Sequence, residues 1–310
     1  MRIRRLLITL LAPVLMLAAS GLLAGAGVVT AAAAGVPRFT CSGTVKSPGI
    51  LAGAYADVVV RGLCDVNAGA ANVQRDLVVA RGGTLLAAFA RNDRTHHGSS
   101  SLTVGGSLTV RRGGTLIMGC EAAHFACIDD PNQKHPTLAS TSAVTGNLIA
   151  THALGIVVHL SSIGGNVIQA GGGGGRNCTP AGIFAAFKSP VYSDYEDNSV
   201  GGDLAVRGLR SCWFGALRDD VGGSALVQGN KVADPDAMEV VSNTVRRDLG
   251  CFGNSPAVQY GDSGGTPNVV RGSAGGQCGF DVLKPNPAPT KTTPAGPLTP
   301  ISVRARRHRR

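Results

Sequence analysis

The chain has 310 residues, of which 44 are Gly and 13 are aromatic, and 15% are charged. A helical bundle is excluded because each Gly inside a helix costs about 1 kcal/mol relative to Ala, and intrinsic disorder is excluded because 44% of the residues are hydrophobic. The net charge of +10 comes from the two ends, since residues 35–283 hold 19 Lys and Arg against all 19 Asp and Glu. This neutral body predicts no nucleic-acid partner.

Residues 1–34 have the three parts of a secretory signal peptide. Arg2, Arg4 and Arg5 form a cationic start, residues 6–29 are almost wholly apolar, and Ala occupies positions 31–34. We expect cleavage after Ala34, export, and no membrane contact by the mature protein. The alternative is an uncleaved anchor, because the apolar stretch is long enough to span a bilayer.

A repeat follows, in which an aliphatic residue, two residues that are often Gly-Gly, and a small polar residue precede alternating apolar positions. Val104-Gly105-Gly106-Ser107-Leu108 is a clear copy. The copies begin at Val73, Val104, Val144, Ile163, Val200, Val221, Val245 and Val270. Most of their spacings are either near 20–25 residues or close to twice 19, which predicts a β-solenoid with one turn of chain per repeat.

Strand periodicity fits this interpretation. The apolar residues after each Gly pair alternate, so that Leu77 and Val79, Leu108 and Val110, and Leu204 and Val206 share one face. Stacked turns place these aliphatic residues on one another and fill a narrow interior without aromatic rings. We expect the Gly pairs to adopt positive φ at a corner. A β-sandwich is the alternative, because short strands and Gly turns also build that fold.

The repeat resembles a group of secreted actinobacterial proteins of unknown function with right-handed parallel β-helix repeats. The resemblance rests on the Gly-Gly copies, on Cys41 and Cys64 around residues 57–60, and on the closing stretch 243–278. It implies an all-β, right-handed parallel β-helix over residues 35–283 with Gly-rich turns, and it implies no activity. The repeats are also similar to those of bactofilins, but the signal peptide argues against these cytosolic polymers.

Eight cysteines lie in the body, and an even number in an exported chain predicts four disulfides. Equivalent positions on neighbouring turns of a solenoid are about 4.8 Å apart, within the Cα separation that a disulfide spans. Cysteines close in sequence should therefore pair. The predicted pairs are Cys41–Cys64, Cys120–Cys127, Cys178–Cys212 and Cys251–Cys278.

Residues 284–310 form a Pro-rich linker with a basic end, in which five Arg lie between Arg304 and Arg310. This composition predicts a disordered tail. The basic end has two interpretations, attraction to anionic cell-wall polymers or an inert frayed end.

Two motifs suggest chemistry that their surroundings do not support. Residues 261–265, Gly-Asp-Ser-Gly-Gly, match the nucleophile motif of trypsin-like serine proteases, with Ser263 as nucleophile and His124 upstream as base. Thr266 stands where that family has Pro, and no Asp segment lies in the expected place, so a protease is a remote alternative. Cys120, His124, Cys127 and His135 have spacings that suit zinc, but export favours the disulfide.

Acidic residues cluster at four places, 129–130, 194–197, 219–220 and 234–236. On a β-helix such pairs suggest a polysaccharide lyase or glycoside hydrolase that uses one carboxyl as acid and another as base. Few aromatic residues are present to stack on sugar rings, and turn chemistry also explains these residues.

We therefore predict a secreted, non-enzymatic structural or surface-interaction protein without catalytic residues, cofactor or metal. Its candidate partner is cell-wall or extracellular polysaccharide. The runner-up is a β-helix carbohydrate-active enzyme, and a cleft of converging carboxylates away from the Gly corners would distinguish it.

Overall fold

The computed structural model describes residues 36–259 and 265–279. Its strands, numbered β1 to β29 in chain order, form three large sheets, and within each of them neighbouring strands are parallel. The chain visits the three sheets in turn. From residue 39 to residue 245, each coil of chain contributes one strand to sheet A, one to sheet B and one to sheet C before the next coil begins. In the described residues after 245, the strands belong to sheets A and C. The predicted parallel β-helix is confirmed. The proposed leader, residues 1–34, and the tail, residues 284–310, lie outside the described residues.

The strands of each sheet follow in spatial order. Sheet A contains β1 (Phe39–Cys41), β4 (Val58–Val60), β7 (Leu77–Val79), β10 (Leu108–Val110), β13 (Leu148–Thr151), β16 (Val167–Ala170), β19 (Leu204–Arg207), β23 (Ala225–Gln228), β27 (Leu249–Phe252) and β29 (Ala274–Gly276). Sheet B contains β2 (Gly49–Ile50), β5 (Leu63–Asp65), β8 (Thr84–Ala87), β11 (Thr115–Met118), β14 (Gly155–His159), β17 (Tyr192–Glu196), β21 (Trp213–Leu217) and β25 (Met238–Val241). Sheet C contains β28 (Val269–Val270), β26 (Thr244–Val245), β22 (Asp220–Val221), β18 (Ser199–Val200), β15 (Ser162–Ile163), β12 (Ser142–Val144), β9 (Ser101–Val104), β6 (Ala70–Val73) and β3 (Gly53–Tyr55). A small sheet pairs β20 (Arg210–Ser211) with β24 (Lys231–Val232), and α1 (Ile183–Phe187) is the one helix among the described residues.

Aliphatic stacks fill the interior, as the alternation in the sequence predicts. Leu77, Leu108 and Leu148 lie in direct register on neighbouring coils of sheet A, and all three are fully buried. The third residues of β7 and β10, Val79 and Val110, stack in the same way. Because these similar side chains bury one another, the hydrophobic effect stabilises each coil against the next.

The conformation expected at the Gly-Gly corners was wrong. Positive φ occurs at the next corner, between sheets A and B, for example at Gly113 (φ 69°) and Gly208 (φ 66°). It occurs at none of the Gly-Gly pairs of the repeat, which are residues 105–106, 164–165, 201–202 and 222–223. The pairs are instead places of close approach. A Cβ on Gly105 would lie 2.4 Å from the carbonyl oxygen of Gln74, and one on Gly202 would lie 2.2 Å from Asn166 Oδ1.

The polar residue after each pair builds a ladder along the coils. Its side chain accepts a hydrogen bond from the backbone N–H of the equivalent residue one coil on, at 2.7–3.4 Å. The ladder consists of Asp76, Ser107, Asn147, Asn166, Asp203, Ser224 and Asp248, and it ends on the N–H of Ser273. These bonds fix the register of the coils at the corner between sheets C and A.

Four disulfides are present, and their pairs are the four that the sequence predicts. The Cα–Cα distances are 6.2 Å for Cys41–Cys64, 4.9 Å for Cys120–Cys127, 4.5 Å for Cys178–Cys212 and 5.2 Å for Cys251–Cys278. Four disulfides indicate folding in an oxidising compartment.

Long insertions cover the outer face of sheet B. Residues 88–100, 119–141 and 171–191 leave the coil there and pack a second apolar cluster against the sheet, separate from the interior. Phe89, Phe125 and Phe184 from these insertions pack with the outward-facing Ile117 and Val157. The cluster ends where polar side chains replace apolar ones on β14 and β17.

Candidate functional site

The site begins with the alternation of side chains on sheet B. On β14 and β17, Val158 and Tyr195 are packed in the interior, so His159, Asp194 and Glu196 lie on the outer face. His159 is in register with Glu196, and Val157 with Asp194. The two strands therefore place one imidazole and two carboxylates together beside the second apolar cluster.

His159 is the centre of this group. Its Nε2 lies 3.2 Å from Asp194 Oδ2, and its Nδ1 lies 3.3 Å from Glu196 Oε2 and 3.9 Å from Glu121 Oε1. The ring stacks on Phe125 with centroids 4.5 Å apart, and the side chain is only 1% exposed. None of the described residues stands in hydrogen-bonding geometry to either ring nitrogen, although three carboxylates approach them.

Arg218 and Asp197 form the exposed edge of the site. Arg218 donates from Nε to Asp197 Oδ1 at 2.9 Å and from Nη2 to Asp197 Oδ2 at 2.8 Å, and its Nη2 also contacts Glu196. Both residues have positive φ, 55° and 58°. This shared conformation turns two neighbouring coils at the same corner and brings the guanidinium beside the two carboxylates.

Burial and nearby charges shift the pKa values of these groups in different directions. Burial, together with the charge of Asp194, raises the pKa of Glu196 despite the opposing effect of His159 and Arg218. Burial opposes charge on His159, but Asp194, Glu121 and Glu196 outweigh it and raise the imidazole pKa. Burial would also raise the pKa of Asp197, but the ion pair with Arg218 lowers it. The site therefore combines a cationic imidazole, a guanidinium and carboxyls of unequal acidity.

The Cys120–Cys127 disulfide holds a short loop over this group. Glu121 and Phe125 exchange backbone hydrogen bonds of 2.7 and 3.2 Å across the loop. The loop thereby places Phe125 on the His159 ring and His124 Nδ1 3.9 Å from Glu196 Oε1. The zinc site considered for Cys120, His124, Cys127 and His135 is ruled out in this structure, because both thiols are consumed by the disulfide.

Of the four acidic clusters, residues 194–197 are the one whose carboxylates meet both an imidazole and a guanidinium. The other three have different roles. Asp129 accepts hydrogen bonds from the N–H groups of Ala90 and Arg91, and Asp130 holds a turn through the N–H groups of residues 132, 137 and 138. Asp234 accepts from the N–H of Asp236. Asp219 belongs to a buried ladder, and Asp220 pairs with Arg246 at 3.2 Å. These residues stabilise turns, coils and the surface.

A groove of about 420 Å³ lies beside the site on the outer face of sheet C. Its floor spans β9, β12, β15 and β18, and Asp197 borders it at the corner with sheet B. Small hydroxyl side chains line it, namely Ser101, Thr103, Thr141, Ser162 and Ser199. The last four are exposed, so their hydroxyls face solvent along four consecutive coils.

Sequence reasoning found the 194–197 carboxylates but missed His159, Glu121 and Arg218. One signal was available for His159, because it is a polar residue at the end of the otherwise apolar segment Gly-Ile-Val-Val-His. Glu121 and Arg218 gave no such signal, because they lie at a loop and a corner outside the repeat. The serine protease motif is not tested, because Ser263 lies outside the described residues; His124 lies inside them, beside Glu196.

No protein family, curated protein or solved structure matched the chain. Among the described residues, no helix is both long and apolar enough to cross a membrane.

Proposed function

We propose that the protein is exported and acts as a non-enzymatic extracellular scaffold that binds polysaccharide along the outer face of sheet C. The observation that carries this proposal is the hydroxyl-lined groove, which follows the axis along which the coils stack. The four disulfides support the extracellular setting.

The register of sheet C explains why a linear polymer suits this groove. Thr103, Ala143, Ser162 and Ser199 occupy equivalent outward positions on successive coils. Adjacent strands are about 4.8 Å apart, so three of these four positions offer a hydroxyl group at multiples of that interval. On the coil of Ala143 the exposed hydroxyl group is that of Thr141. A polymer with hydroxyl groups at regular intervals can form hydrogen bonds at successive coils, whereas a compact ligand would use only one or two.

A pull-down with insoluble cell-wall material, cellulose, chitin and pectin tests the proposal. We expect Ser199→Lys and Ser162→Lys to reduce the bound fraction at least about tenfold on the polysaccharide that the unaltered protein binds, because the longer side chains fill the groove. Ile168→Lys is the matched control, since Ile168 is exposed on sheet A in the same coil as Ser199. Binding to none of the materials, or equal loss in all three variants, would contradict the proposal.

A carbohydrate-active enzyme is the second candidate, and the site on sheet B favours it. Glu196 has a raised pKa and Asp197 a lowered one, and such a difference can separate a general acid from a general base. Against this function, Arg218 is bound to both carboxylates, and His159 and Asp194 are almost wholly buried. Release of sugar products decides between the two functions.

A further inference from the structure

The group around His159 holds more carboxyl groups than cationic groups. Four carboxyl side chains meet there, those of Glu121, Asp194, Glu196 and Asp197. Arg218 is the permanently charged cation that contacts them. With His159 counted as cationic, the carboxyl groups outnumber the cationic groups two to one. Buried charges without partners cost several kcal/mol each, so this arrangement favours an additional cation.

Several polar atoms at the centre of the group are buried without partners. Asp194 is 4% exposed and His159 1% exposed. Within the described part of the chain, Asp194 Oδ1, Glu121 Oε1 and both nitrogens of His159 have no hydrogen-bond partner. Buried polar atoms normally have hydrogen-bond partners, and a bound ion is one of the recognised reasons for exceptions. Of these atoms, Glu121 Oε1 lies 3.9 Å from His159 Nδ1, while His159 Nε2 lies on the side of Asp194, whose Oδ2 is 3.2 Å away.

The spacing of the donor atoms fits a small cation. His159, Asp194 and Glu196 can each offer one donor, and the three donors lie within 4.8 Å of one another. Ligands that surround zinc tetrahedrally, with bonds of about 2.0 Å, are about 3.3 Å apart. His159 Nδ1 lies 3.3 Å from Glu196 Oε2 and 3.9 Å from Glu121 Oε1, whereas Asp194 Oδ2 lies 3.2 Å from the other ring nitrogen, Nε2. Because an ion binds one ring nitrogen, side-chain rotation must bring the carboxylates to the same side of the imidazole.

From this geometry we propose that His159, Asp194 and Glu196 bind one divalent zinc ion. The imidazole favours zinc over calcium and magnesium, which prefer oxygen ligands alone. Glu121 Oε1, 3.9 Å from His159 Nδ1, is available as a fourth ligand. Phe125 shields one face of the imidazole, and Arg218 closes the exposed side by holding Glu196 and Asp197. The site lies on sheet B, and Asp197 is the residue that it shares with the border of the groove on sheet C.

Calorimetry with ZnCl₂ on the untagged, EDTA-treated chain with its disulfides formed tests the proposal. We expect one zinc ion per chain, with affinity reduced at least about tenfold in Asp194→Asn and Glu196→Gln. His135→Gln and Asp236→Asn, which alter an imidazole and a carboxylate away from the site, should retain full affinity. In the Co²⁺-loaded protein, visible absorption should show tetrahedral coordination and should be lost in His159→Gln.

Three results would overturn the proposal. They are the absence of stoichiometric zinc binding, zinc binding that Asp194→Asn and Glu196→Gln leave unchanged, and calcium binding that equals zinc binding and survives His159→Gln. Far-ultraviolet circular dichroism and thermal unfolding of each variant accompany the titrations. Because Glu196→Gln replaces a partly accessible group with one of the same shape, it is the decisive variant if His159→Gln fails to fold.

Discussion

At the residue scale, a buried ladder at the corner between sheets B and C contains one exceptional side chain. Asn198, Asn243 and Asn268 each donate from Nδ2 to a carbonyl oxygen of sheet B, those of Val158, Ala216 and Val240. Asp219 occupies the equivalent position on the intervening coil, where it accepts from the N–H and Nδ2 of Asn198. Asp219 Oδ2 stands where the three Asn residues have the donating Nδ2, and it has no hydrogen-bond partner among the described residues.

Asp219→Asn should stabilise the protein at high pH. Burial raises the pKa of Asp219 to about 8, so the native state holds a proton that the unfolded state has lost, and stability falls as pH rises from about 4 to about 8. Asn supplies the missing donor without this dependence. Since one pKa unit corresponds to about 1.4 kcal/mol, we expect a gain of about 2 kcal/mol or more in the free energy of unfolding at pH 9, and little gain at pH 4.

Urea unfolding at both pH values measures this difference. Asp203→Asn, in the exposed ladder at the other corner, is the control and should change stability by less than about 0.5 kcal/mol at either pH. A gain that is equal at pH 4 and pH 9 would show that Asp219 is not protonated in the native state.

Gly202→Ala tests the close approach at the Gly-Gly corners. The added methyl group would lie 2.2 Å from Asn166 Oδ1, which already accepts a hydrogen bond from the N–H of Asp203. We expect a loss of about 1–3 kcal/mol in the free energy of unfolding, typical of overpacking. Gly208→Ala is the matched control, because a Cβ at position 208 has no atom within 4 Å. The substitution therefore loses only the free energy of placing Ala at φ 66°, about 1–2 kcal/mol. A loss at Gly202 smaller than that at Gly208 would argue against close approach as the reason for glycine there.

At the element scale, the three sheets differ in how clearly the sequence encodes them. The repeat covers the strands of sheets C and A and the corner between them, so strands such as β9 and β10 could be predicted from Val104 to Val110. In sheet B, β8 and β11 both begin with Thr-Leu after Gly-Gly, but the strands near the site share no such motif, as Tyr192–Glu196 and Trp213–Leu217 illustrate. The site could therefore not be predicted beyond its acidic residues, because it lies on sheet B and depends on insertions that fold over that sheet.

The Cys120–Cys127 loop should open locally when its disulfide is removed. In Cys120→Ala/Cys127→Ala we expect faster hydrogen exchange at the amides of Glu121 and Phe125, which bond to each other across the loop. The coils beneath should keep their protection, because they are held by the parallel sheets. Peptide-level exchange mass spectrometry measures both regions. Loss of protection throughout sheet B would show that the loop is needed for the coil itself.

At the scale of the whole molecule, disulfides join neighbouring coils at both ends of the described solenoid. Cys41 and Cys64 lie on the first two coils, and Cys251 and Cys278 on the last two. Terminal coils have a neighbour on one side only, so they have fewer contacts and fray more easily. The cross-links also protect the exposed edges of the terminal strands.

Removing the C-terminal cross-link should destabilise the end coil. For Cys251→Ala/Cys278→Ala we expect a loss of about 2–4 kcal/mol, as chain entropy predicts for a loop of 27 residues. Limited proteolysis should cut first near residues 253–279 and spare the central coils. Cutting that begins in the central coils instead would contradict the sequential stacking.

The central claim is that the protein binds polysaccharide without cleaving it. The most direct measurement incubates the purified protein with each polysaccharide of the panel and determines, in the same sample, the bound protein and the sugar ends or unsaturated products released. We predict binding to at least one polysaccharide that Ser199→Lys abolishes, with product release no greater than in the protein-free control. Release of products by the unaltered protein that is lost in Glu196→Gln would contradict the claim and identify the site on sheet B as catalytic.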